Sequence, residues 1–424
     1  NFMPVISGLH ARSILDSRGL PTVECSLWLD SGHLAISSVP TGIEVSKYSA
    51  VSLFDHNSSE MMGKGVNTAV NNINKIIAPQ LIGKDPLKQT DVDQTLINLD
   101  GTANKSKLGA NAILAVSQAV LKVGALSVEM PLYYYIQQKY QLTDKFDIPT
   151  CIYSMFNGGI YGTGNLDLKD FCIIPAGHID YKKSLNMAVT FFQKLENVLA
   201  SKEAIRCVGK VGGFAPNLYS NTDAFEILIE TTKTTSFTFA QDIFFGIDVS
   251  AAHIYADGKY SLRDRTNPYT AADLFKYYQT LRTVHQVTLI EDPYQEDDWK
   301  SWQELTRELG ETTNIVGNRL VSDNKERLQK AIAEEACNTV AVKPIEVGTV
   351  SETIDFIKTA KDGNLKILVS QRSGETNDDF LADLAVGVGA NFVKLGAPNR
   401  GERVAKYNRL LEIYQQLVDW AKPQ

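Results

Sequence analysis

Six short stretches beyond residue 240 run apolar, and each stops on a side chain able to hold a metal, an anion or a proton. They are Phe244-Phe-Gly-Ile-Asp248, Val287-Thr-Leu-Ile-Glu291, Ile315-Val-Gly-Asn318, Val340-Ala-Val-Lys343, Ile367-Leu-Val-Ser-Gln371 and Phe392-Val-Lys394. After the first pair they recur about every 25 residues, the length of one strand-helix unit. Parallel strands buried on both faces read as continuous apolar runs, and a (β/α) barrel gathers the C-terminal ends of its strands at one mouth. The pattern predicts an α/β chain built around one polar cleft.

A barrel of this kind uses about 250 residues, so a chain of 424 leaves room for a second unit. Residues 1–142 read as a smaller α+β domain. Val23, Cys25, Leu27 and Leu29 alternate with Glu24, Ser26 and Trp28, the period of a strand, and Asp16-Ser-Arg-Gly19 is a turn signal. Val70, Ile73 and Ile77, and then Ile113, Val116, Val120 and Val123, follow helical spacing. The polar stretch Thr143-Asp-Lys-Phe-Asp-Ile-Pro149 separates this unit from residues 143–424, where short apolar runs alternate with helices such as Lys182 to Ala200, Ala271 to Arg282 and Lys325 to Glu335.

A net charge of -7, with no basic cluster interleaved with aromatics, argues against nucleic acid as a partner. The cysteines Cys25, Cys151, Cys172, Cys207 and Cys337 are odd in number, far apart and without CxxC spacing, which predicts small buried reduced thiols and a cytoplasmic location. The longest apolar stretch, Leu108 to Leu126, is interrupted by Asn111, Gln118 and Lys122, so no membrane span is expected.

Asp248, Glu291 and Asn318 end successive apolar runs and offer the oxygen ligands that a hard cation such as Mg²⁺ takes. A single acid there would be equally consistent with a helix cap; three in succession favour a metal. Lys343 and Lys394 end two further runs, and a lysine desolvated beside a second cation becomes a usable base. Gln371-Arg-Ser-Gly-Glu-Thr376 adds a guanidinium fork, a hydroxyl and backbone N–H groups suited to phosphate, although Ser-Gly is also an ordinary turn.

Together these residues resemble the enolase family. Ala11-Arg-Ser-Ile-Leu-Asp-Ser-Arg-Gly19, Leu108-Gly-Ala-Asn-Ala-Ile-Leu114, Asn157-Gly-Gly159, Gly212-Gly-Phe-Ala-Pro-Asn217, Ile290-Glu-Asp-Pro293, Arg372-Ser-Gly-Glu-Thr376, Gly396-Ala-Pro398 and Ala405-Lys-Tyr-Asn408 fall in the family's order across nearly the whole chain. The resemblance implies an irregular (β/α)8 barrel behind a smaller α+β N-terminal domain. It also implies Mg²⁺-dependent dehydration of 2-phosphoglycerate to phosphoenolpyruvate in glycolysis, and homodimers or rings of dimers. By motif position Lys343 matches the base that removes the carbon acid's proton, a lysine-and-magnesium logic known for this superfamily. Lys394 matches its partner at the substrate carboxylate, Arg372 and Ser373 the phosphate site, and Asp248 and Glu291 two ligands of the first Mg²⁺.

The chain also departs from the family's pattern. Asn318 replaces the third metal ligand, an aspartate, and Arg319 follows it. Lys210 and Val211 stand where an Asp-Glu pair supplies the acid that helps the hydroxyl leave. Tyr161 and Gln371 replace histidines, Lys169-Asp170 replaces a Gln-Glu pair, and His253 replaces a glutamate. The metal-binding loop Ser-Gly-Ala-Ser-Thr reads Thr41-Gly-Ile-Glu-Val45, with Glu44 at the position of the serine that meets a second Mg²⁺. Lys169, Lys210 and Arg319 are expected to add cations near the mouth. These changes predict a weakened metal site and dehydration that is slow or lost. Three readings follow: a weak enolase, a non-catalytic paralogue serving as a binding or assembly partner, or a superfamily enzyme acting on another phosphorylated or hydroxy acid.

Overall fold

The computed structural model describes residues 4–43 and 45–420. The chain opens with a three-stranded antiparallel meander, β1 (Ile6–Leu15), β2 (Pro21–Leu29) and β3 (Leu34–Ser38). In β2 the alternation works as the sequence implies: Val23, Cys25, Leu27 and Leu29 are buried while Trp28 is exposed. The Asp16–Gly19 turn is closed by Asp16 Oδ1, which accepts from the N–H of Arg18 at 2.7 Å and of Leu20 at 3.2 Å, with Gly19 in the left-handed region at φ 72°.

The buried face of this sheet packs on helical residues 67–81 and on the helix Ala110–Ser127. Asn74 pins the first of these to β1, accepting from Ala11 N at 2.8 Å and donating to Ala11 O at 3.0 Å. Ala110–Ser127 is long and apolar enough to cross a membrane, yet 83% of it lies inside the protein. Its apolar circumference is explained by burial on all sides: Ile113, Val116, Val120 and Val123 join the core of the N-terminal unit, while Leu121 and Ala125 join that of the barrel.

The barrel is closed by eight strands in the order β4 (Thr150–Asn157), β5 (Asp170–Pro175), β6 (Ile243–Asp248), β9 (Val287–Glu291), β10 (Asn314–Gly317), β11 (Thr339–Val342), β12 (Lys366–Ser370) and β13 (Phe392–Gly396), with β13 returning to β4. A small hairpin, β7 (Tyr255–Ala256) and β8 (Lys259–Tyr260), sits outside it. The six apolar runs of the sequence are six consecutive staves. β5 alone runs antiparallel to both neighbours, so its first residue, not its last, lies at the mouth.

One apolar layer plugs the barrel: Ile152, Cys172, Ile174, Leu289, Val316, Ala341 and Leu368, with Phe392 packed against it. Successive strand residues point to opposite faces, so the residue two beyond each plug residue points inward again, one layer nearer the mouth. Applied stave by stave, this rule selects Ser154, Glu291, Asn318, Lys343, Ser370 and Lys394, and, on the reversed β5, Asp170; on β6, Gly246 faces Ile174 and Leu289 of the plug, and Asp248 stands two beyond it. The pleat alone gathers the polar layer. Lys394, expected to end its run, lies inside β13, which continues through Leu395 and Gly396.

Four of the five free cysteines are buried, as expected of small core residues; Cys207 is exposed, in the loop before Gly209. The N-terminal unit leans on the barrel mouth through Thr41 and Gly374, which exchange backbone hydrogen bonds at 2.7 and 2.8 Å, and through Lys122, paired with Asp378 at 2.7 Å.

Candidate active site

Strand register sets three carboxylates abreast at the barrel mouth. Asp170 is paired with Asp248, and Asp248 with Glu291, on adjoining staves. Lys394 reaches across to them, donating to Glu291 Oε2 at 2.8 Å and Asp248 Oδ2 at 3.2 Å, and lying 3.6 Å from Asp170 Oδ2. Burial opposes the charge on this ammonium, but the carboxylates of Glu291, Asp248 and Asp170 outweigh it and hold the Lys394 pKa well above its ordinary value. A second ammonium, Lys169 at the start of β5, lies 2.8 Å from Asp248 Oδ2.

Asp170 sits beneath the cleft floor, accepting from Ser154 Oγ at 2.7 Å and Asn157 Nδ2 at 3.1 Å. Burial pushes its carboxyl from the ordinary 3.8 up to about 6, against the pull of Lys394 and Ser154. A carboxyl raised in the folded state favours folding when protonated. Its stabilising contribution is therefore full below about pH 4 and lost as pH rises through about 6, up to roughly 3 kcal/mol in all. Asp170→Asn, neutral throughout, is expected to flatten that part of the stability profile. Urea unfolding of both proteins between pH 4 and 6 measures it, and identical slopes would refute it.

Asp292, which sequence reasoning passed over although it follows Glu291 directly, is buried beside the same carboxylates. Burial, reinforced by Asp248 and Glu291, raises its pKa well above the ordinary value. It accepts from the backbone N–H of Asn318 and of Arg319, both at 3.0 Å, which fixes the turn after β10.

The opposite wall is built by β11 and β12. Lys343 Nζ donates to Asn318 Oδ1 and to Glu346 Oε1, the latter at 3.1 Å. Glu346 also takes the Arg372 guanidinium. Glu346 is not among the residues that the sequence motifs point to; its position three residues after Lys343, on the short helix Pro344–Val347, is the signal the sequence carries for it. Gln371 Oε1 is held by Arg403, while its buried Nε2 has no acceptor among the described residues. Ser373 Oγ accepts from Ile43 N at 3.2 Å, so the loop through Thr41–Ile43 covers this wall. Glu44 lies outside the described residues.

Tyr161, Lys169, Asp248, Glu291, Asn318, Lys343, Gln371, Arg372, Ser373 and Lys394 line one cleft, together with Gly42, Ile43 and Ser370. Four of these are cations and two are carboxylates. Of the three cations expected to be added at the mouth, Lys169 alone lines it. Lys210 is exposed and donates to Ile160 O at 2.9 Å, and Arg319 pairs with Glu296 at 3.2 Å. His253 is exposed on a short turn. Val211 is fully buried behind the wall, bonded through its carbonyl to Ala397 N at 2.9 Å and through its N–H to Asn157 Oδ1 at 3.3 Å. Among the described residues no acid takes its place: both carboxylates lining the cleft are paired with ammonium groups.

Asp248, Glu291 and Asp292 bring carboxylate oxygens within 4.8 Å of one another, a spacing that could bind a metal ion. The charge around them opposes a dication. Lys169 and Lys394 already face Asp248 Oδ2, and Lys394 faces Glu291 Oε2. Asn318 turns its amide N–H to Glu291 Oε1 at 2.9 Å because its oxygen is taken by Lys343. Reversing the amide would set donor against ammonium and acceptor against carboxylate.

Two family models cover most of the chain. Residues 6–136 match the model described as Enolase, N-terminal domain, and residues 145–423 match Enolase, C-terminal TIM barrel domain. The closed eight-stranded barrel behind a smaller N-terminal unit agrees with an N-terminal domain followed by a TIM barrel domain, and the chain belongs to the enolase family.

Proposed function

We propose that this chain holds a small phosphorylated carboxylic acid in the barrel-mouth cleft and dehydrates it slowly or not at all. The observation that carries the reading is Val211: the position that should deliver a proton to the departing hydroxyl is a sealed aliphatic side chain, while the cations of the cleft remain.

Arg372 and Ser373 are the groups for the phosphate, charge-assisted by the guanidinium fork. Lys394 faces the carboxylate end, and Lys343 is the group for the proton next to it. The buried N–H of Gln371, unmet among the described residues, supplies a donor for a ligand oxygen. Binding and enolisation draw on these residues. Expelling water draws on a proton that valine lacks, and losing such assistance typically costs roughly 10²–10⁴-fold in rate.

Purified chain, free of host enzyme and supplied with 2-phosphoglycerate and millimolar Mg²⁺, is expected to form phosphoenolpyruvate at least about 10²-fold more slowly than an active family member. The same ligand is expected to raise its melting temperature. Full turnover would overturn the slow-dehydration reading, and absence of any ligand-induced shift would overturn the binding one. The buried free thiols suit a reducing compartment such as the cytoplasm. Assembly into homodimers or rings of dimers, as in the family, is readable by light scattering.

A further inference from the structure

Lys169 is 2% exposed and reaches the mouth only because β5 runs against its neighbours. Its backbone is fixed twice, donating to Asp248 O at 2.9 Å and accepting from Gly158 N at 3.0 Å, and its Nζ lies 4.8 Å from the centroid of the Tyr161 ring. From this anchored start the ammonium meets Asp248 Oδ2 at 2.8 Å, the oxygen that also receives Lys394 at 3.2 Å. Two positive charges thus stand against Asp248 and Glu291, two of the three clustered carboxylates, while the third, Asp292, is engaged by the backbone N–H groups of Asn318 and Arg319. Asn318, the remaining ligand position that the resemblance implies, turns an N–H rather than an oxygen toward Glu291.

We propose that Lys169 supplies the positive charge that a divalent cation would bring to this cleft, so that the chain takes its phosphorylated carboxylate without a metal. The clause on the ligand rests on the function proposed above; the clause on the metal rests on Lys169, Lys394 and Asn318 alone. An ammonium at hydrogen-bond distance satisfies an acidic oxygen with one charge and no dehydrated ion, and it excludes a second cation by repulsion at close range. Were Lys169 merely a structural ion pair, its removal would loosen the fold and leave cation binding unchanged.

The test has two arms. In the first, Mn²⁺ is titrated into ligand-free wild type, Lys169→Gln, Asn318→Asp and the double variant, and binding is read as bound Mn²⁺ and as a shift in melting temperature. Wild type is expected to show no saturable site. Each substitution is expected to tighten binding by about tenfold or more, since each shifts the site's charge by one unit at contact range. Saturable Mn²⁺ binding by wild type as tight as by the double variant overturns the proposal; this comparison stands on Asn318→Asp alone should Lys169→Gln fail to fold. In the second arm, calorimetry with 2-phosphoglycerate is run on wild type in excess EDTA and in excess Mg²⁺. Equal affinity in both supports the proposal, and binding that vanishes in EDTA overturns it. No heat in either condition, with the Mn²⁺ arm as expected, removes the proposed ligand and leaves the assignment of Lys169 intact.

Discussion

Lys394→Met is expected to lower the unfolding free energy by about 3–5 kcal/mol, the usual cost of deleting one partner from a buried charge cluster. The ammonium it removes is the shared counter-ion of Glu291, Asp248 and Asp170, all buried with it. Methionine preserves the volume of the stem but leaves carboxylates facing one another, with Lys169 as the nearest remaining cation for Asp248. The loss should be greatest where the carboxylates are ionised and shrink in acid, where they protonate. Urea unfolding at neutral pH measures the effect, with Lys358→Met, on an exposed helix face, as a control expected to stay within about 0.5 kcal/mol. A Lys394 variant as stable as that control would mean the cluster is not held by charge.

Arg403→Met is the second large effect. This guanidinium is fully buried under the wall of the cleft, and burial pulls its pKa below the ordinary value. It donates to Gln371 Oε1, to Arg372 O and Ser373 O at 2.8 Å each, and to Lys210 O at 3.3 Å. One side chain therefore holds the turn after β12 against the loop that carries Val211. Methionine would leave those acceptors buried and unmet, a loss of about 3–5 kcal/mol. It would also release Gln371 and Arg372, so affinity for 2-phosphoglycerate should fall by about tenfold or more. Arg403→Lys keeps the charge without the planar fork and should fall between the two. Unfolding curves and calorimetry on the same preparations separate the two effects; unchanged affinity in a folded Arg403→Met would show that the wall does not depend on this residue.

The staves were legible because a buried parallel strand writes itself as an apolar run, and the cleft was legible because the pleat has a period of two. Glu291 and Lys394 share one inward face with Leu289 and Phe392 two positions earlier, and Asp248 shares it with Gly246, a relation visible within each segment. Less legible was which neighbouring charges arrive. Lys169, Lys210 and Arg319 look alike in sequence, yet Lys169 alone lines the cleft. Glu346 and Asp292 are only partly legible: i,i+3 spacing sets Glu346 beside Lys343 but does not show that it bridges to Arg372, and adjacency to Glu291 does not show that Asp292 holds the turn at Asn318.

By itself, then, the sequence determined the barrel, the inward layer at its mouth and the family. The first two depend on residue type and short-range periodicity, the family on motifs that fall in its order. Only the tertiary structure decided that β5 is reversed, that Lys169 lands on Asp248, that Asn318 presents its N–H to Glu291, and that Lys394 bonds to carboxylates 146 and 103 residues away. The physical reason is that strand direction, amide orientation and the sharing of counter-ions are set by partners distant along the chain. Such partners meet only when the barrel closes.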